Sequence, residues 1–98
     1  MTKDEVIERL KRHESEIRNL GVGKLYLFGS YARNEATQES DVDLFFDKRP
    51  EREIGFLEFT GLIIMLEDLF GTEVDVAMRD DLHPRLRADI EASAIRVI

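Results

Sequence analysis

Three stretches of this chain carry side chains whose types and spacing can do chemistry. The first is Gly29-Ser30-Tyr31-Ala32-Arg33, a small-residue turn closing an apolar run. The second is Asp41-Val42-Asp43, with two carboxylates one residue apart, and the third is Asp75 within Glu73-Val74-Asp75-Val76-Ala77. A glycine at a strand-to-helix turn lets backbone N–H groups approach an anion, and a serine hydroxyl adds a donor. By itself Gly29-Ser30 after a strand is usually just a turn. Asp41 and Asp43 alternate onto one face of a strand and lie about 7 Å apart, given the rise per residue. Two such groups can grip a Mg2+ ion whose other ligands are water and substrate phosphate. Asp41 could instead serve as a turn residue after Ser40. Asp43 and Asp75 are harder to dismiss, because an unpaired charge inside an apolar strand is costly. Three carboxylates holding two metal ions would polarise a phosphate and lower the pKa of an attacking hydroxyl, and Asp75 could take that proton as general base. Glu73 shares the face of Asp75 and competes with it; Asp75 is preferred because it lies deeper in its strand.

The elements around these residues must bring them together. Thr2-Lys3-Asp4-Glu5 has the spacing of a capping box. Apolar residues at Ile7, Leu10, Ile17 and Leu20 then fit a helix over residues 3–20, stopped by Gly21. His13 reads as part of its solvated face. Residues 24–28 form a strand whose continuous apolar character predicts cover on both faces, and residues 31–35 form a short helix beginning beside Ser30. After a polar loop, residues 41–47 form a second strand, with Asp41, Asp43, Phe45 and Asp47 on one face. A helix over residues 53–70, closed by Gly71, is apolar around more than one stripe. That breadth implies burial on more than one side, by the core alone or by an interface as well. Residues 72–78 form a third strand. Pro84 opens a last helix over residues 85–93, and residues 95–98 pack or pair as a terminal segment. The alternation predicts an α+β fold of αβαβαβα order, a small mixed sheet with helices packed on it, as one domain over residues 1–98.

Composition narrows the function. The net charge of −7 repels phosphate backbones, which argues against direct nucleic-acid binding. There is no cysteine, hence no disulfide, thiolate nucleophile or Cys-ligated zinc. The acidic-polar N-terminus shows no signal-peptide pattern, and no apolar run approaches the ~20 residues that span a bilayer. A cytoplasmic protein with no membrane association is the expectation.

Gly29-Ser30, then Asp41-x-Asp43, then the strand acid Asp75 resemble the polymerase-beta-type nucleotidyltransferase superfamily. More narrowly, Gly29 to Ala36, Ser40 to Leu44, and Val74 through Leu82-His83-Pro84 to Glu91 are similar to the minimal nucleotidyltransferases, over essentially the whole chain. The resemblance implies that Gly29, Ser30 and the adjacent backbone hold the β,γ-phosphates of ATP. It implies that Asp41 and Asp43 bind two Mg2+ ions, and that Asp75 completes one metal site and activates the acceptor. Arg33 either contacts phosphate or is a structural ion-pair partner of Glu35 or Asp47. Stand-alone members resemble the MntA-like antitoxins of two-gene pairs whose toxin is a HEPN ribonuclease. The activity then implied is transfer of AMP from ATP to a toxin tyrosine. The alternatives are a binding-only antitoxin, or a transferase acting on a small molecule or an RNA end. The three strand acids weigh against the first. The acidic balance and the lack of a second domain weigh against the other.

Overall fold

In the computed structural model, which describes all 98 residues, the first helix bears out its capping box. The Glu5 N–H donates to Thr2 Oγ1 at 3.2 Å, and the Thr2 N–H donates to Glu5 Oε1 at 3.3 Å. The long helix expected over residues 3–20 is broken, however, into α1 (Lys3–Arg12) and α2 (Glu14–Asn19). His13 is the hinge, with φ −109° and ψ 22°. Its Nδ1 lies 2.9 Å from the Arg9 carbonyl; a carbonyl can only accept, so the proton belongs on Nδ1. His13 is thus a half-buried joint rather than a solvated face residue. On either side of the break Val6, Leu10 and Ile17 are all completely buried.

Four strands follow: β1 (Val22–Phe28), β2 (Val42–Lys48), β3 (Val74–Met78) and the two-residue β4 (Ile95–Arg96). They form one mixed sheet in the order β3-β2-β1-β4, as expected for the fold class. β1 pairs antiparallel with β2 and with β4, while β2 and β3 are parallel. A parallel pair needs a crossover, and α4 (Phe56–Phe70) supplies it. This helix starts three residues later than expected. It ends at Gly71, whose left-handed backbone (φ 66°, ψ 22°) turns the N–H back to the Glu67 carbonyl at 2.8 Å. A single helical turn, α3 (Gly29–Ala32), follows β1; a 3-10 turn (Arg79–Asp81) and then α5 (Arg87–Ser93) follow β3.

The core lies on one face of the sheet. Leu25 and Leu27 of β1 and Val42, Leu44 and Phe46 of β2 are fully buried there against Val6, Leu10, Ile17, Leu62 and Leu66 of the helices. The other face is only partly covered, contrary to the expectation for β1: Tyr26 and Phe28 remain half-exposed. Phe45 is buried there by local stacking, its ring 4.8 Å from Tyr26 and 5.7 Å from Phe28.

Candidate active site

The topology explains why the chemical residues meet. β2 and β3 begin at the same end of the sheet because they are parallel, and β1 ends there because it is antiparallel to β2. In register, Phe28 faces Asp43 and Asp43 faces Asp75, one residue from each of three adjacent strands. Gly29 therefore leaves β1 directly beside the two carboxylates. Its φ of +75° favours glycine, and a Cβ added there would lie 2.1 Å from Asp43 Oδ2. Backbone and carboxylate share a space that no side chain can enter. Ser30, half-exposed, follows in the first turn of α3, where helical N–H groups lack intrahelical partners.

Asp41 stands just outside β2 and is exposed, Asp75 is exposed at the start of β3, and Asp43 is half-buried between them. Burial first, then the charges of Asp75 and Asp41, push the Asp43 carboxyl from its ordinary 3.8 up to about 6, against a lowering influence from Arg33. None of the salt bridges in the chain involves these three acids. Nor do any three acidic or imidazole side chains converge into a ready-made metal cage. The donor set still suits Mg2+, which commonly takes one or two carboxylates and completes its shell with water and substrate phosphate. Crowded carboxylates with no ion-pair partner, beside a backbone stripped of side chain, are a fitting place for a metal-bound polyphosphate.

Arg33 pairs with Glu35 at 3.2 Å, both side chains being largely exposed. It does not pair with Asp47, whose carboxylate is held instead by Arg79, a residue that local sequence patterns did not single out. The Arg79 guanidinium donates to Asp47 Oδ1 at 2.8 Å and Oδ2 at 3.0 Å, and to Glu91 Oε2 at 2.5 Å. It also lies 4.8 Å from the Tyr26 ring centre and 5.0 Å from that of Phe45. These hydrogen bonds raise its pKa further. The only hint in sequence was an arginine at the end of an apolar strand.

The three acids line none of the four clefts on the surface. The largest cleft, about 430 Å³, is at the far end of β2 and is lined by Arg18, Lys24, Lys48 and Arg49 among others. Arg18 and Arg49 there are already paired with Glu14 and Glu51. The acidic end of the sheet is an open shelf.

A nucleotidyltransferase domain model matches residues 3–97. The chain belongs to this family. It is therefore a nucleotidyltransferase, as the spacing of its glycine, serine and acids implied. Protein adenylyltransferase MntA of Thermococcus cleftensis is 39% identical over 83 residues, covering 84% of this chain and 82% of that protein. A provisionally named protein adenylyltransferase of Methanocaldococcus jannaschii is 35% identical over 98 residues, 98% of each chain. Among solved structures, a provisionally named minimal nucleotidyltransferase superposes with TM-score 0.80 at 33% identity, over 97% of this chain and 95% of that one. A toxin–antitoxin complex with AMP-PNP shares the nucleotidyltransferase fold at TM-score 0.70 and 17% identity, over 100% of this chain and 73% of that one.

Proposed function

We propose that this chain is the antitoxin of a toxin–antitoxin pair and a protein adenylyltransferase, moving AMP from ATP to a tyrosine hydroxyl of a HEPN-family ribonuclease. The observation that carries this reading is the alignment of Asp43 and Asp75 in register beside the Gly29 backbone, in a family member similar to a named protein adenylyltransferase. The open shelf supports an acceptor delivered on another protein, since a macromolecular surface can close a site that a small substrate would leave wet. The absence of any helix long and apolar enough to cross a membrane is compatible with a cytoplasmic pair.

In this mechanism Gly29, Ser30 and the first N–H groups of α3 receive the β,γ-phosphates, and Arg33 adds positive charge beside them. Asp41, Asp43 and Asp75 would hold two Mg2+ ions, which when bound neutralise charge on the polyphosphate and acidify the attacking hydroxyl. Asp75, exposed at the strand start, would accept the tyrosine proton. The tyrosine oxygen forms a bond to the α-phosphorus, the α–β bridge breaks, and pyrophosphate leaves. Orientation of the acceptor by a docked partner contributes through proximity.

The test is incubation of the purified chain with α-labelled ATP, Mg2+ and a HEPN-family ribonuclease, beside a variant carrying Asp41→Asn and Asp43→Asn. The expected result is label on a tyrosine of the ribonuclease, lost in the variant. Full neutralisation of the ribonuclease by the variant, with no label, would overturn transfer in favour of simple binding.

A further inference from the structure

α4 turns several of its largest apolar side chains away from the fold. Phe56, Leu57 and Ile64 are 82%, 80% and 61% exposed. At 3.6 residues per turn, the exposed Leu57, Ile64 and Asp68 follow one stripe with the half-buried Gly61 between them, opposite the buried Leu62 and Leu66. Single exposed apolar residues are ordinary, but a contiguous strip rimmed by polar groups marks an interaction surface.

Gly61 is an independent observation. Glycine is unfavourable in a helix interior, and nothing inside the fold requires it here. An added Cβ would meet only Leu20 Cδ2, at an ordinary 3.8 Å, and the backbone φ of Gly61 is not positive. A bare backbone between Leu57 and Ile64 is what close approach of another helix demands. Beside Phe56 a cleft of about 280 Å³ opens between Ile54, Phe59 and Met78, with Asp81 also lining it.

Charge identifies the occupant. α4 carries Glu58, Glu67 and Asp68 and no lysine or arginine, and Glu51 and Glu53 precede it in a chain of net charge −7. Lys48 and Arg52, just upstream, are directed to the backbone carbonyls of Arg49, Arg52 and Asn19. A second copy would set acids against acids. A different protein, presenting an apolar helix face flanked by lysine and arginine, would meet complementary charge.

We propose that the Leu57–Gly61–Ile64 stripe of α4, with the cleft beside Phe56, docks the acceptor protein through such a basic-flanked apolar helix. The proposal rests on the reading above that the acceptor is another protein. α4 packs on the core side of the sheet, whereas Asp43 and Asp75 face the other side, so docking and nucleotide chemistry are separable.

The experiment compares wild type with a variant carrying Leu57→Lys and Ile64→Lys, using the HEPN-family ribonuclease as probe. Binding is measured without nucleotide, AMP transfer with it, and ATP affinity and melting temperature serve as controls. The variant should lose roughly tenfold or more in affinity for the ribonuclease and raise its KM equally, with ATP affinity unchanged. Gly61→Ala should raise the melting temperature of the chain alone while weakening the complex. Transfer with an unchanged KM in the lysine variant overturns the docking surface and leaves the transferase standing. Binding that the variant loses, without any transfer by wild type, overturns the transferase and keeps the surface. A dimer of the chain alone, abolished by the two lysines in sedimentation, overturns the heterologous occupant in favour of a second copy. Neither binding nor transfer by wild type overturns both.

Discussion

Asp43 and Asp47 lie on the same face of the same strand, four residues apart, and are treated in opposite ways. Asp47 is half-buried and compensated: Arg79 grips both of its oxygens, holds Glu91 as well, and covers the Tyr26 and Phe45 rings. Asp43 has no ion pair, faces another carboxylate across the strand, and is pushed up to about 6. One end of the face is closed by a guanidinium that the fold supplies, and the other is left short of positive charge. Such an asymmetry is unfavourable for stability and useful for binding, because an ion arriving with a nucleotide relieves it.

The comparison is most sharply tested by removing its open end. Asp43→Asn should lower AMP transfer on the order of 10³-fold, as loss of a metal ligand and its charge stabilisation would. The same variant should be more stable than wild type in the metal-free state. The sign follows from linkage: a carboxyl whose folded pKa is raised contributes stability that is complete below about pH 4. That contribution is lost as pH rises through about 6. At pH 7 the asparagine variant escapes this cost, which solvent screening reduces to about 1 kcal/mol, or a rise of roughly 4–8 °C in melting temperature. Calorimetry in chelator across pH 4 to 8 checks it, and the wild-type decline over that window should vanish in the variant.

Gly29→Ala attacks the same end through the backbone. Its Cβ would collide with Asp43 Oδ2 and its φ is in the left-handed region, so transfer should fall about 10²-fold. Stability should fall by about 1–3 kcal/mol. Labelled-ATP assays and thermal melts read the two effects separately. At the closed end, Arg79→Ala should cost about 2 kcal/mol by stranding Asp47 and Glu91 and uncovering Phe45. Transfer per folded molecule, measured well below the melting temperature, should be unchanged. The smallest effect is expected for Arg33→Met. Stability should stay within about 0.5 kcal/mol because the side chain is largely exposed. The acid limb of the pH–rate profile should move upward as Asp43 loses its one nearby cation.

Sequence showed the open end better than the closed one, for a physical reason. Glycine, serine and aspartates that break local rules inside an apolar strand stand out against their neighbours, so Gly29, Ser30, Asp43 and Asp75 were legible, as was the alternation that makes the mixed sheet. Arg79 obeys no local rule. Its meaning depends on Asp47, 32 residues away, and on rings contributed by two other strands. The hinge at His13 was hidden because capping and periodicity on either side are those of a single helix. The late start of α4 was hidden because Glu53-Ile54 is compatible with a helix; those residues are outside the helix, which begins only after the extended Gly55. Ile54 lies against Gly21, where its Cγ1 stands 2.7 Å from where a Cβ would be. The apolar breadth of α4 was visible, but only the fold shows which residues face out.

The central claim is that Asp43 is held short of positive charge until nucleotide and metal arrive. Carbon-13 NMR of the aspartate side chains tests it most directly. The carboxyl of Asp43 should titrate near pH 6 in chelator, and its midpoint should fall once Mg2+ and a non-hydrolysable ATP analogue are added. A midpoint of Asp43 that ignores Mg2+ and nucleotide would contradict the account.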